Sequence, residues 1–304
     1  MPEKIFSAVI VFTEKDRKYL KNCLKSLERS ASVGGLRIEF ILFANSTDHI
    51  NTGFLKSEVK KLTSKEKLGF GRAVNKAMKY VKRDWCFLVC PDVITGSMTI
   101  AEILPETSPK NAIIAPKIIF PDGHVQPTIL SLPGLYNIFI EQSYLYKLFP
   151  SIFKSPQNFG RIYAGKNSVE AIAAIWWLIN VSSFRKAGGF DERFFLYFED
   201  VDLCIRLKNL GYSLFYQPEA EAKHIPHQST GGETRGDLYF QSLIKILKKY
   251  HSQFSVSLAA SIFLSGSLIR LIYWIVLKYL NKSLLSKADK KIIFLKACLK
   301  KSLS

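Results

Sequence analysis

The chain has 304 residues, 48% of them hydrophobic and 22% charged, with a formal net charge of +18. That apolar fraction supports a buried core and excludes a disordered or low-complexity chain. Five scattered cysteines with no Cys-x-x-Cys pair exclude a disulfide framework and a cysteine zinc site, and they fit a reducing compartment.

Residues 5–12 are a near-continuous apolar run, as in a central parallel strand, and are too short and weakly flanked for a secretory signal. Residues 16–29 place Tyr19, Leu20, Cys23, Leu24 and Leu27 at helical spacing. A second strand is predicted over 37–43, a helix over 71–81 and a third strand over 85–89. Strand and helix alternate, which predicts an α/β sheet with helices on its faces. In such sheets ligands bind beyond the carboxyl ends of strands, where Thr13, residues 45–48 and Asp92 fall. Residues 105–166, rich in Pro, Gly, Tyr and Phe, predict irregular strands and loops. An apolar run follows at 171–179, then a short helix over 183–189 closed by glycines. The most strongly patterned helix is 199–209, and a further strand is expected over 212–216.

The charge is uneven. From residue 241 onward there are twelve Lys/Arg and one Asp, a net +11 of the +18. Basic tails bind nucleic acid or anionic lipid. Residues 250–269 contain no charged side chain and many aliphatic ones, and Tyr273 and Trp274 follow Arg270. That pattern favours a membrane surface over nucleic acid. Arg270 interrupts the apolar stretch, so an interfacial helix is expected ahead of a spanning or a core helix. The predicted division is an α/β domain at 1–235 and a basic, apolar helical membrane-association region at 236–304.

Three groups of residues carry chemistry. Asp191, Glu192, Glu199, Asp200 and Asp202 lie among aromatics in residues 189–206. Three of them stand at a helix start, where the dipole favours carboxylates and where ordinary capping acids also occur. Asp202 and Arg206, four apart, can pair on one face. Asp92 follows a strand and either closes a turn or holds a divalent cation that bridges two phosphates. His224 and His227 are either metal ligands or loop surface.

Gly-Gly-Phe-Asp-Glu-x-Phe-Phe-x-Tyr-x-Glu-Asp-Val-Asp-Leu-Cys-x-Arg-Leu at 188–207 resembles the signature of family 2 inverting glycosyltransferases, in their rhamnosyltransferase-like branch. Leu-Gly-Phe-Gly-Arg-Ala-Val-Asn at 68–75, Pro-Asp-Val at 91–93 and His224 with Ser229 are similar to further segments of that family. The resemblance runs from about Phe6 to about Ser229. It implies a GT-A fold, Rossmann-like with a mostly parallel sheet. It also implies a nucleotide-diphosphate sugar donor, such as dTDP-rhamnose, and a divalent cation, Mn²⁺ or Mg²⁺. Asp200 would be the catalytic base, supported by Glu199 and Asp202. Asp92 and His224 would hold the metal. Thr13, Asn45, Ser46, Asp48, Gly69, Phe70, Gly71, Arg72 and Asn75 would hold the donor. Asp191, Glu192, Trp176 and Trp177 would border the acceptor. Close backbone approach to the donor is the expected reason for Gly69 and Gly71.

The acceptor implied is a lipid-linked or cell-surface glycan in polysaccharide and envelope synthesis. The expected location is the cytoplasmic side of the membrane, with peripheral attachment and no nucleic-acid partner. The sequence departs from the family pattern at Ala44 (usually Asp), Lys67 (Asn), Cys90 (Asn) and Ala174-Ile175 (Gly-Ala). These departures motivate one alternative, a degenerate transferase that serves as a membrane-bound scaffold.

Overall fold

The computed structural model describes residues 4–45, 51–143, 145, 149, 151–152, 163, 165, 167–226, 232–280 and 285–302. In chain order the first elements are β1 (Lys4–Phe12), α1 (Arg17–Val33), β2 (Leu36–Ala44), β3 (Val59–Thr63), α2 (Phe70–Met78), β4 (Trp85–Val89) and β5 (Val93–Thr95). Next come α3 (Thr99–Ile103), β6 (Asn111–Ile119), β7 (Ile129–Leu130), α4 (Leu135–Ser143), β8 (Asn167–Ser168), β9 (Ala171–Ile172) and β10 (Trp176–Asn180). The last are α5 (Val181–Lys186), α6 (Glu199–Asn209), β11 (Ser213–His224), α7 (Gly232–Tyr250), α8 (Gln253–Leu280) and α9 (Leu285–Ser302). They form two units. The first comprises Met1–Leu130, Phe159–Phe195 and Glu199–Ser229; the second comprises Ser131–Asn158, Leu196–Phe198 and Thr230–Ser304.

In the first unit the main sheet runs β3-β2-β1-β4-β10-β6-β11-β5, with β8 added to β11. The pairs β2–β3, β1–β2, β1–β4 and β6–β11 are parallel, whereas β10 lies antiparallel between β4 and β6. Strands buried on both faces need continuous apolar sequence, and residues 8–12 of β1 are all buried. Against this sheet α1 lays Leu20, Cys23, Leu24 and Leu27, the face its spacing predicts.

Two elements differ from expectation. Residues 111–119 form a regular strand despite Pro116, within a stretch predicted to be irregular, and β11 continues through Pro218 to His224 rather than ending near 216. Pro116 pairs with Gln217, and the ladder shifts register between Gln217 and Glu221. A proline has no N–H to give, so a bulge placed there lets two proline-containing strands remain paired.

The second unit is helical. Tyr239 of α7 packs between the rings of Phe263 in α8 and Phe294 in α9. Gly236 abuts the backbone of Phe294 and Cys298, and Gly266 abuts Gln142 of α4. Gln142 accepts a hydrogen bond from Arg270 at 3.1 Å, which gives that cation a partner inside the unit. Thus α8 runs unbroken through Arg270 for 28 residues and is long and apolar enough to cross a membrane. Arg270 still divides the apolar residues of this helix, and α4 supplies its side chain with a hydrogen-bond partner.

Gly188 and Gly189 close α5 with φ of 79° and 69°, backbone that L side chains enter at a cost of about 1–2 kcal/mol. A Cβ on Gly189 would also lie 2.6 Å from Asn75 Oδ1. Gly189→Ala is therefore expected to lower unfolding stability by about 2 kcal/mol or more, read as a fall in the urea midpoint at unchanged slope.

Candidate active site

The order β2-β1-β4 sets the carboxyl ends of three strands side by side. Asn45, Thr13 and the Cys90-Pro91-Asp92 turn follow those ends directly. Two of these polar groups are occupied by the scaffold. Thr13 Oγ1 and Thr13 N–H both donate to Asp16 Oδ2, at 2.8 and 2.6 Å. The Asn45 amide donates to Leu68 O at 2.7 Å and accepts from Leu68 N at 2.8 Å, which ties the end of β2 to the glycine-rich segment.

That segment packs on the acidic motif. A Cβ on Gly69 would sit 2.6 Å from Phe195 O, and one on Gly71 would sit 2.7 Å from Phe190 Cβ. These glycines are required by protein packing, a reason different from the close approach to a donor expected from sequence. Phe70 N–H donates to Phe195 O at 3.1 Å. Asn75 clasps Phe190 in both directions, donating to its carbonyl at 2.8 Å and accepting from its N–H at 2.9 Å; it also donates to Glu192 at 3.1 Å. Arg72 pairs with Glu192 at 3.4 Å, and Asp191 pairs with Arg193.

Asp92 and Asp200 are linked through the first residues before β10. Cys90 N–H donates to Ile175 O at 2.8 Å, and Cys90 Sγ lies 3.4 Å from Ala174 O. Ala174 N–H in turn donates to Asp200 Oδ2 at 3.3 Å. Both carboxylates bear on the Cys90 thiol. Its pKa is pushed well above the ordinary thiol value, first by burial and then by the negative charges nearby, Asp92, Asp16 and Asp200 among them. Two of the positions where this chain departs from the family pattern, Cys90 and Ala174, are thus bonded to each other.

Glu199 and Asp200 open α6 in different surroundings. Glu199 is buried, and its Oε2 has no hydrogen-bond partner among the described residues. Burial, and then the charge of Asp200, push its pKa up to about 8. Asp200 is partly exposed and is also raised by burial, but N–H groups of Val201 and Ala174 favour its ionised form. At neutral pH the pair divides into a protonated Glu199 and an Asp200 that accepts protons more readily than a surface aspartate.

Asp202 is wholly buried and bound by Arg206 through Nε at 2.8 Å and through the terminal nitrogen at 2.7 Å. Arg206 also donates to Ala187 O. Arg206, held by Asp202, therefore fastens α6 to the end of α5, which gives Asp202 a scaffold role where catalytic support was expected. Trp176 and Trp177 are likewise core residues. Trp176 donates to Thr95 Oγ1 at 3.0 Å, and Trp177 stacks on Phe190. With about 1% or less of either exposed, neither presents a surface to an acceptor.

His224 ends β11 opposite Val93 of β5, and Ile225 N–H donates to Asp92 O at 2.9 Å. This backbone register sets His224 Nε2 3.1 Å from Asp92 Oδ2. Nδ1 lies 2.7 Å from Gln126 Oε1. In one tautomer Nε2–H donates to Asp92; in the other Nδ1–H is given to Gln126 and the Nε2 lone pair faces the carboxylate oxygen, two acceptors that suit a cation between them. No group of three or more His, Cys, Asp and Glu placed to hold a metal ion occurs among the described residues. Two protein donors suit a cation of the Mg²⁺ or Mn²⁺ type, which fills its other positions from phosphates and water. Gln126 and the Ala174 N–H were not singled out by sequence; one is an isolated glutamine in an unpatterned stretch and the other a backbone group. Ser46, Asp48, His227 and Ser229 lie outside the described residues.

No family model matches the chain. Two strains of Mycobacterium tuberculosis carry an N-acetylglucosaminyl-diphospho-decaprenol L-rhamnosyltransferase 31% identical over 197 residues, covering 59% of this chain and 63% of theirs. Rhamnosyltransferase WbbL of Escherichia coli K12 is 26% identical over 166 residues, covering 52% of this chain and 61% of its own. The matches thus span less than two thirds of these relatives. Among solved structures, a mannosyltransferase from Pyrobaculum calidifontis in complex with GDP-Man and Mn²⁺ superposes with a TM-score of 0.56 at 10% identity, covering 98% of this chain and 87% of that one. GalNAc-T7 with UDP, GalNAc and Mn²⁺ gives 0.55 at 13% identity, covering 81% and 48%. The fold is GT-A. In sequence the chain resembles rhamnosyltransferases, as the motif at 188–207 implied.

Between about pH 4.3, the ordinary glutamate value, and the pKa of about 8 for Glu199, the folded chain keeps a proton that the unfolded chain releases. This contribution is complete below the lower value and is lost as pH rises through the upper one. Glu199→Gln has no such proton, so its Tm relative to the wild type is expected to climb from about pH 5 to about pH 8, read by thermal melts across pH. Asp202→Ala leaves Arg206 unpaired and is expected to cost about 3 kcal/mol, read by urea denaturation.

Proposed function

We propose that this chain is an inverting glycosyltransferase that moves a sugar, L-rhamnose from dTDP-rhamnose, onto a lipid-linked glycan acceptor. The observation that carries the reading is the link from Asp92 to Asp200 at the strand termini, through Cys90 and Ala174. Likeness to rhamnosyltransferases, one of them named for a lipid diphosphate acceptor, supports the choice of sugar and acceptor.

Asp92 and His224 would hold a divalent cation, which when bound supplies positive charge to the departing diphosphate. Asp200 takes the proton of the acceptor hydroxyl as its oxygen attacks the anomeric carbon. The new carbon–oxygen bond forms on the face opposite the leaving group, and the old bond breaks with its electron pair passing to the nucleotide diphosphate. A carboxylate raised above the usual aspartate range by burial is a better base for this step than a free one. Protonated Glu199 adds no second negative charge beside Asp200, so it supports the base without competing for the proton.

The second unit supports attachment to a membrane. One face of α8 is used inside the unit by Ala259, Phe263 and Gly266, while Leu268, Ile269, Ile272, Tyr273, Val276 and Tyr279 are exposed. An apolar face with Tyr at its edge and many Lys nearby suits an anionic lipid surface on the cytoplasmic side. Ile272→Glu with Val276→Glu is expected to abolish co-sedimentation with anionic vesicles while leaving the melting curve unchanged.

Asp200→Asn is expected to lower kcat by about 10²–10⁴-fold with donor affinity unchanged by calorimetry, whereas Glu199→Gln keeps activity within about threefold. Full transfer by Asp200→Asn would refute the base. Absence of donor binding by the wild type would favour the scaffold alternative.

A further inference from the structure

We infer that Gln126 is the positioning residue of the metal site, fixing the tautomer and direction of His224; this rests on the metal-dependent reading proposed above. Gln126 follows a tight hairpin at the end of β6, closed by Phe120 N–H to His124 O at 2.8 Å and Gly123 N–H to Phe120 O at 3.0 Å. Its own N–H donates to Ile118 O at 2.8 Å, and Ile119 bridges Val125. Gln126 is therefore set by backbone hydrogen bonds on the strand that pairs with β11. Ile118 and Ile119 lie opposite Ala222 and Lys223, immediately before His224. From there the amide reaches Nδ1 of His224 at 2.7 Å, the ring nitrogen that does not face Asp92.

An imidazole that gives one nitrogen to a metal carries its proton on the other. An oxygen acceptor there orients the ring and raises the basicity of the coordinating nitrogen. Gln126 Oε1 supplies that acceptor without adding a charge to a site that already holds Asp92. A ring left without this partner could turn, or protonate Nε2 and donate it to Asp92, and either change removes the second protein ligand. Gln126 touches neither substrate nor cation; it acts through His224.

The test is Mn²⁺ binding to the full chain with no donor or acceptor present, read as loss of the free-ion signal in electron paramagnetic resonance. Gln126→Leu keeps the bulk and removes the acceptor, and it is expected to weaken Mn²⁺ binding about tenfold or more. Gln126→Glu can only accept, so it is expected to bind at least as tightly as the wild type. Wild-type affinity in Gln126→Leu would overturn the inference, and so would equal losses in both variants or no Mn²⁺ binding by the wild type. Because the readout needs no sugar transfer, a chain that shows this pattern yet transfers nothing would sink the proposed reaction and leave the role of Gln126 standing.

Discussion

The hydrogen bonds that β10 exchanges with β4 on one side and β6 on the other decide where the polar groups of the first unit end up. Because β10 runs against its neighbours, it enters the sheet at the end where β4 leaves. Its leading residues, Ala174 and Ile175, therefore meet Cys90 rather than the far edge of the sheet. The backbone N–H of Ala174 then reaches Asp200. A parallel strand in that slot would place its first residues at the opposite end, and the two carboxylates would have no shared neighbour.

The same region shows how one chain keeps several carboxylates close without mutual repulsion dominating. Each acid has a different compensation. Asp16 is capped by Thr13, Asp202 is paired with Arg206, and Asp92 faces His224, while Glu199 stays protonated. Asp200 accepts the backbone N–H groups of Val201 and Ala174, which favour its charge against the burial that raises its pKa. Cys90 carries no charge, because burial and then the charges of Asp92 and Asp200 among others hold its thiol protonated.

Much of the α/β order was legible because buried parallel strands and amphipathic helices leave periodic traces, as in residues 8–12 and the Leu20–Leu27 face. The signature at 188–207 was legible because it is long and ordered. What sequence could not show were roles set by neighbours distant in the chain. Gly69 and Gly71 look like donor-binding glycines, yet their missing side chains make room for Phe195 and Phe190. Trp176 and Trp177 look like a sugar platform, yet a strand hydrogen-bonded on both sides buries them. Asp202 and Asp200 are two residues apart, yet only Asp202 is paired with Arg206 among the described residues. The stretch before α4 hid β6 because Pro116 argues against a strand until its partner's bulge is seen.

Just ahead of Glu199, Tyr197 and Phe198 both adopt positive φ, 71° and 65°, a conformation that costs non-glycine residues of order 1–3 kcal/mol each. Around it Phe195 O accepts from Phe70, Leu196 O accepts from Ser242 at 2.7 Å, and Tyr197 Oη accepts from Arg235 at 3.0 Å. Within the first unit the Phe195 carbonyl is thus tethered five residues before Asp200, and α6 follows at once. Each residue added or removed there would turn α6 by about 100° about its axis and swing Asp200 off Ala174. This short connection can vary in identity at some cost, but its length is locked.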